Sequence, residues 1–254
     1  NRDKKTVFKL IDACAKAGFD CVKFQIYDAE EAFSKKETTK DVKLDHLYGF
    51  KPWWIVARDK ILMPRDWFEE MFNYIRKKKM IPLSAIHRVE DCEFLIKFGL
   101  PAIKLASIDL NYFQLQKKLI KFKLPTIFST GMGTEKEITE TLNFYKRNNK
   151  NDIAMLHCNS AYPPKNNMVN LNNIKHFKKK FNMIVGYSDH TDDNYTAFAS
   201  VVLGAKIIEK HITLNKNYKG PDHPFAIEPK EMNEFIYGIR KIEETLGSKK
   251  RELS

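Results

Sequence analysis

Two histidines stand in polar runs that directly follow apolar, strand-like segments. His190 lies in the run 186–191, and His211 lies in the run 209–213. Imidazole and charged groups at the ends of buried strands are costly to desolvate, unless they pair with each other, with a metal or with an anionic ligand. These positions therefore predict an enzyme rather than a packing role.

Lysines and hydroxyl side chains stand at the ends of other strand-like segments. The polar residues at strand ends are Lys23, Gln25, Lys104, Ser107, Asp109, Ser129, Thr130, Ser160, Tyr162, Ser188, Asp189 and Lys210. Lysines and hydroxyls that converge from several strands form a site for phosphate and carboxylate groups. By the two-residue period of a strand, Ser188 shares a face with His190. Lys23 shares a face with Gln25 in the same way.

Some of these residues do not share a strand face with their neighbours in the predicted site, and others have no predicted role in it. Lys104 has the opposite parity to Ser107 and Asp109, so we expect a β-bulge or a strong twist at that strand end. The role of Lys210 stays open, because its face is opposite to that of His211. We expect His157 to orient its neighbours and Met132 to belong to the core. The histidines that we interpret as ordinary polar residues are His46, His87 and His176.

The elements that position these residues form a regular alternation. Seven apolar runs occur at 21–25, 80–86, 102–107, 125–130, 153–158, 183–188 and 205–212. Helical patterns follow most of them, at 65–79, 89–98, 135–148, 171–181, 194–203 and 230–246. Runs that are apolar on both faces and alternate with helices indicate a parallel sheet with both faces covered.

An opening helix at 4–17 precedes the first apolar run and ends at Gly18. A helix at the start of a βα series implies a strand before it. We therefore predict an α/β fold, a (β/α)8 TIM barrel that lacks its first strand, in a single catalytic domain over residues 1–254. An open doubly wound sheet is the alternative, but residues 25–31 lack the glycine-rich turn expected there. The long connection 26–63 fits a lid, a dimer surface or a satellite cluster.

Bulk composition narrows the class of protein. The chain has 254 residues and a formal net charge of +12. Its lysine runs at 77–79, 178–180 and 249–250 lie on separate helices or the tail without interleaved aromatic residues, so we interpret them as solvated faces and expect no nucleic-acid partner. No apolar run is long enough to span a membrane. Four widely spaced cysteines indicate neither a disulfide framework nor a zinc site, which favours the cytoplasm.

Seven short motifs occur in order at these strand ends. They are VKFQ at 22–25, KLAS at 104–107, STGM at 129–132, HCNSAYP at 157–163, GYSDHT at 186–191, EKHITL at 209–214 and GPDH at 220–223. With these motifs, from the first helix to Leu246, the chain resembles the sialic acid synthases. That family condenses phosphoenolpyruvate with an N-acetylated hexosamine to a nonulosonic acid.

The resemblance implies roles for individual residues. The residues implied to hold phosphoenolpyruvate are Lys23, Lys104, Ser107, Ser129, Ser160 and Ser188. His190 and His211 would bind a divalent metal, manganese in the first place, with magnesium or cobalt as alternatives. Gln25, Asp109, Tyr162 and Asp222 would face the sugar and complete the catalytic set with the two lysines. The metal would polarise the sugar aldehyde, the enol carbon would attack it, and phosphate would leave by C–O cleavage after addition of water.

Three departures from the family accompany the resemblance. In the family, the first barrel strand, which this sequence is expected to lack, carries an active-site glutamate. Asp109 stands where the family commonly has glutamate. The C-terminal antifreeze-like domain of most members is absent. The expected partners are two small molecules, phosphoenolpyruvate and an amino sugar, and a homodimer is possible. The alternative functions are a synthase acting on a pentose or tetrose phosphate, a pyruvate aldolase with Lys23 or Lys104 as Schiff base, and an inactive sugar-binding scaffold.

Overall fold

The computed structural model describes residues 2–248. Its centre is one sheet of seven parallel strands in sequential order. The strands are β1 (Cys21–Gln25), β2 (Ile81–Ala85), β3 (Ile103–Leu105), β4 (Thr126–Ser129), β5 (Ile153–Cys158), β6 (Ile184–Asp189) and β7 (Ile208–Lys210). All seven predicted strands are present, most of them shorter than their apolar runs. The sequential order rules out the doubly wound alternative, because the strand order of that fold reverses at a switch point.

Helices precede β1 and follow each strand. They are α1 (Lys4–Ala17), α2 (Phe68–Lys77), α3 (Val89–Ile96), α4 (Phe113–Leu119), α5 (Glu135–Arg147), α6 (Asn172–Phe181), α7 (Tyr195–Val202) and α8 (Pro229–Leu246). The side chain of Asp3 caps the start of α1, and Gly18 ends it in the left-handed conformation. The sequence patterns missed α4. The predicted helix at 65–79 begins instead with a 3₁₀ turn over Arg65–Trp67.

The main core lies inside and around the sheet. Leu105, Phe128, Met155 and Tyr187 come from four successive strands and are at most 1% exposed. Burial on both faces of these strands explains their nearly continuous apolar sequences. No helix of the described residues 2–248 is long and apolar enough to cross a membrane. Lys178–180 lie exposed at the end of α6, as expected, whereas Lys249 and Lys250 lie outside the described residues.

The sheet is open, whereas the layer of helices around it is closed. Within residues 2–248, β1 and β7 pair with no strand on their outer edges. On the outside, the rings of Phe19, which follows α1, and Phe235 of α8 stack at 6.0 Å. Arg240 of α8 also donates to Asp20 at 2.8 Å. Between β1 and β7 lies a cavity of about 440 Å³, lined by residues of both strands and of α1.

Two details correct the sequence-based expectations. The parity problem at Lys104 is resolved by a 3₁₀ turn rather than by a bulge or twist, since β3 ends at Leu105 and the turn covers Ser107–Asp109. Met132 is 64% exposed, so its assignment to the core is wrong. The long connection contains three short helices and one π-helical turn, at Ala29–Ala32, Asp45–Tyr48, Trp53–Val56 and Ala57–Ile61.

Candidate active site

Lys104 is the buried cation at the centre of the site. It lies on β3 and is 2% exposed. Its Nζ atom donates to Ser129 Oγ at 2.8 Å and to the carbonyl oxygen of Leu105 at 3.1 Å. Burial lowers the pKa of Lys104 to about 8, although the nearby carboxylate of Glu209 opposes the shift. A buried ammonium group with so few fixed partners is suited to bind an anion.

Glu209 of β7 joins the two lysines of the site. Its Oε2 atom lies 2.7 Å from Lys23 Nζ and 3.8 Å from Lys104 Nζ. Ser188 Oγ donates to Oε1 at 2.8 Å. Burial alone would raise the pKa of Glu209, but Lys104 and Lys23 hold it well below its ordinary value. Glu209 has no role among the sequence-based predictions, although its parity in the run 209–213 places it on the face of His211.

Hydroxyl groups surround the backbone of Gly131 in the loop after β4. The amide of Gly131 donates to Ser107 Oγ at 2.9 Å. A Cβ atom at Gly131 would lie 2.7 Å from Ser160 Oγ and 3.0 Å from both Ser107 Oγ and Cys158 Sγ. Only glycine leaves this space free. Ser107, Ser129, Ser160 and Ser188, which the sequence predicted as anion ligands, therefore lie around the two lysines and this small cradle.

His190 and His211 lie side by side, with ring centroids 5.3 Å apart. His190 Nδ1 lies 2.7 Å from the carbonyl oxygen of Asn159, so Nδ1 carries the hydrogen and Nε2 keeps its lone pair. Burial lowers the pKa of His190. Burial and then His190 lower the pKa of His211 to about 3. Both rings are therefore neutral at neutral pH, the form that ligates metals.

The histidine pair fits a metal with open coordination positions. Within residues 2–248 no group of three or more His, Cys, Asp and Glu side chains is arranged to hold a metal ion. Two imidazoles with the free Nε2 of His190 suit a divalent ion whose other ligands are water or substrate oxygens. Asp222 Oδ2 lies 3.6 Å from His211 Nδ1, too far for a direct hydrogen bond.

The predicted sugar-facing residues lie around this centre. The ring of Tyr162 is half-exposed and lies 4.2 Å from that of His190. Gln25, at the end of β1, and Asp222 both line the cavity that also contains Lys23 and Lys104. The Asp222 side chain is 56% exposed, and its partial desolvation at the cavity wall raises the pKa of its carboxyl group. These positions lie beside the two lysines and the histidine pair.

Asp109 has a partner that the sequence patterns do not reveal. His87, predicted to be an ordinary polar residue, is instead a largely buried ring whose Nδ1 lies 2.8 Å from Asp109 Oδ2. A signal was present, because His87 follows β2 at the same edge of the sheet. His176 behaves as expected, since it is an exposed residue paired with Glu135.

Two further polar residues have structural roles. Lys210, left open by the sequence, is buried and donates to Asp189 Oδ2 at 2.8 Å and to the carbonyl oxygen of Thr191 at 2.6 Å. It therefore braces the loop after β6 and takes no part in the anion site. His157 lies 2.7 Å from the carbonyl oxygen of Val169 and holds the loop after β5, in line with its predicted role.

Two curated proteins are similar to this chain over nearly its whole length. The N,N'-diacetyllegionaminic acid synthase of Campylobacter jejuni is 34% identical over 249 residues, covering 97% of this chain and 74% of that protein. The spore coat polysaccharide biosynthesis protein SpsE of Bacillus subtilis is 34% identical over 256 residues, covering 97% of this chain and 66% of that protein. This chain spans about two thirds of the length of the curated relatives it matches.

A solved structure shares the fold. The N-acetylneuraminic acid synthetase of Leptospira borgpetersenii, crystallised in complex with citrate, superposes with a TM-score of 0.85 at 28% identity, covering 98% of this chain and 82% of that chain. The NeuB family model matches residues 10–251. The chain therefore belongs to the NeuB family, which confirms its resemblance to the sialic acid synthases.

Proposed function

We propose that the protein condenses phosphoenolpyruvate with an N-acetylated hexosamine, N-acetylmannosamine or a related sugar, to a nonulosonic acid. The observation that carries this proposal is the convergence of Lys23 and Lys104 beside the histidine pair, in a chain whose relatives are sugar acid synthases. The two lysines and Glu209 carry one net positive charge, which suits a phosphorylated carboxylate. The hydroxyls of Ser107, Ser129, Ser160 and Ser188 supply uncharged donors around it.

The sugar would lie on the side of Tyr162 and Asp222. A divalent metal on His190 and His211, which we propose to be Mn²⁺ with Mg²⁺ or Co²⁺ as alternatives, would act as a Lewis acid toward the sugar aldehyde when bound. The protein's own groups orient the two substrates. Lysines and serines hold the phosphate and carboxylate, so that the enol carbon faces the sugar carbonyl, and Gln25 and Asp109 hold sugar hydroxyls.

The reaction fixes which bond of phosphoenolpyruvate breaks. The enol carbon forms the new C–C bond, water adds to the former enol carbon C2, and the C2–O bond breaks as phosphate leaves. The lysines stabilise the negative charge that collects on the departing phosphate. No residue has to attack phosphorus in this scheme.

Phosphate release from phosphoenolpyruvate labelled with heavy oxygen at the bridging position tests the function. With N-acetylmannosamine and Mn²⁺, we expect phosphate to appear only when the sugar is present, and to carry the label. The measurement is mass spectrometry of both products. Label retained in the sugar acid, or a borohydride-trapped pyruvate adduct on Lys104 without phosphate release, would refute the synthase and indicate phosphoryl transfer or an aldolase.

Metal content gives a separate prediction. Changing either His190 or His211 to Ala should lower bound Mn²⁺ from about one ion per chain to near zero, because a single imidazole is a weak site. The measurement is elemental analysis after dialysis, and His176→Ala serves as the exposed control. Equal metal content in all variants would exclude the histidine pair as the site.

We propose that the protein is a cytoplasmic homodimer, and exposed apolar residues and unpaired cysteines support this proposal. Ile108, Met132, Tyr162 and Met168 are each more than half exposed, and all lie in loops at the carboxyl ends of the strands. Such an apolar rim supports a homodimer that covers the mouth of the site. The four cysteines are unpaired, which supports a reducing cytoplasm.

The gap in the sheet between β1 and β7 supports the proposal that one more strand completes a barrel. α1 packs against both α8 and α2, so the helices close across the gap between β1 and β7. The cavity between β1 and β7 is open at this gap, where neither strand has a partner on its outer edge within residues 2–248. We propose that an eighth parallel strand, connected to the start of α1, fills it and completes a (β/α)8 catalytic domain.

A further inference from the structure

His87 and Asp109 form a buried pair outside the anion site. The two side chains are 11% and 8% exposed, and Nδ1 of the ring lies 2.8 Å from Oδ2 of the carboxylate. A carboxylate oxygen only accepts, so the hydrogen must be on Nδ1. His87 thus holds one of the two carboxylate oxygens of Asp109.

The other ring nitrogen of His87, Nε2, is buried and makes no hydrogen bond to the described residues 2–248. A buried nitrogen without a partner is costly, and a purely structural ring would be expected to use both nitrogens. The single bond to Asp109 is therefore the polar contact for which the ring is placed.

The plane of the His87 ring is fixed by stacking. Tyr27, two residues beyond β1, lies parallel to it, with centroids 4.0 Å apart and planes inclined by 15°. Phe33 stacks on Tyr27 with centroids 6.0 Å apart, and Trp53 packs edge-on against Phe33. The long connection 26–63 therefore clamps the imidazole from one side.

The backbone of Asp109 is held as firmly. Gln116 Nε2 donates to the carbonyl oxygens of Asp109 and Leu110 at 2.8 and 2.7 Å. Burial is the main cause of the pKa shifts of Lys104 and Tyr27, and the Asp109 carboxylate lies close enough to act on both groups in the direction of a higher pKa. The carboxylate therefore lies in the same neighbourhood as the proposed sugar-facing residues.

We propose that His87 is a positioning residue, which holds the Asp109 carboxylate in the orientation that accepts hydrogen bonds from the amino sugar. This inference rests on the proposed function of Asp109. One oxygen is tied to His87, so the side chain cannot rotate freely, and the sugar meets a preoriented acceptor. Asp109 is shorter than the glutamate that the family commonly has at this position. The hydrogen bond from His87 fixes the orientation of this shorter side chain.

Steady-state kinetics of the full chain test the proposal. His87→Ala should raise KM for N-acetylmannosamine about tenfold or more and leave KM for phosphoenolpyruvate within about twofold, since only the sugar side loses a fixed acceptor. His87→Asn, whose amide can replace the Nδ1 donor, should restore KM for the sugar to within about threefold of the wild type. His176→Ala is the matched control and should resemble the wild type.

A double-mutant cycle shows whether His87 acts through Asp109. In the Asp109→Ala background, His87→Ala should add less than about a twofold change in KM for the sugar, because the shared interaction is already lost. Additive effects, or equal losses in His87→Ala and His87→Asn, would overturn the proposal.

Nuclear magnetic resonance tests the pairing of His87 with Asp109 without any enzyme activity. It therefore distinguishes a failure of this proposal from a failure of the proposed function. In ¹⁵N spectra of labelled histidine, His87 should show a hydrogen on Nδ1, and that signal should shift in Asp109→Ala. A wild-type chain that releases no phosphate would refute the proposed function but leave this pairing test intact. A His87 ring with a hydrogen on Nε2 and none on Nδ1 would refute the pairing even in an active enzyme.

Discussion

The Lys104→Met variant is expected to bind phosphoenolpyruvate on the order of 30-fold more weakly than the wild type, or by about 2 kcal/mol, the scale for a lost hydrogen bond to a charged group. Methionine keeps most of the volume of the buried side chain, so the variant tests charge rather than packing. The substitution removes the hydrogen bond that Lys104 donates to Ser129 Oγ. It also removes one of the two lysines near Glu209 and leaves Lys23. Titration calorimetry without the sugar measures the affinity directly.

Lys117→Met is the matched control, because this lysine is exposed on α4, away from the strand ends. It should bind phosphoenolpyruvate as the wild type does. Wild-type affinity in Lys104→Met, together with an unchanged melting temperature, would remove Lys104 from the anion site. An affinity loss in both variants would point to the overall charge of the protein rather than to this site.

The pKa of the Lys104 ammonium group leads us to expect that the affinity for phosphoenolpyruvate depends on pH. The pKa of Lys104 is about 8 without ligand, and a bound anion would raise it. Affinity for phosphoenolpyruvate should therefore be fully present below pH 8 and decline as the pH rises through and above that value. The groups that act on Lys104 are Glu209, Lys23, Cys158 and Asp109. In Lys104→Met the decline near pH 8 should disappear, which identifies the group responsible.

Much of this site could be predicted from sequence because parallel strands order their ends. Apolar runs define the strands, and the residues that follow them meet at one edge of the sheet. Lys23, Ser188 and His211 could thus be placed together without knowledge of any contact. The spacing of the βα series places a further strand ahead of α1, and within residues 2–248 β1 has no strand on its outer edge.

The pairings inside the site could not be predicted in this way. Periodicity gives the face of a residue but not its partner, so Lys210 could not be recognised as the partner of Asp189, nor His87 as that of Asp109. The 3₁₀ turn after β3 depends on backbone bonds such as the one from Asp109 to Ala106. Glu209 was missed for a related reason, because its importance comes from two lysines on other strands.

A strand placed ahead of α1 should stabilise the protein strongly. Each Val side chain that the strand buries contributes about 1.5–3 kcal/mol. The new strand would also pair with the outer edges of β1 and β7 and close the side of the cavity of about 440 Å³ that opens between them. A net gain of about 2 kcal/mol corresponds to a rise of roughly 4–8 °C in melting temperature for a domain of this size.

The test compares residues 1–254 with the same chain extended by a segment of alternating Val and Thr joined to Asn1 through a short turn. Melting temperature should rise, and binding of a hydrophobic dye should fall, because the apolar walls at Val22, Phe24 and Ile208 become covered. The control segment carries proline at every second position, which removes the donors needed for pairing, and should change neither quantity. Equal stabilisation by both segments would show that the gap does not accept a paired strand, and the completed barrel would have to be abandoned.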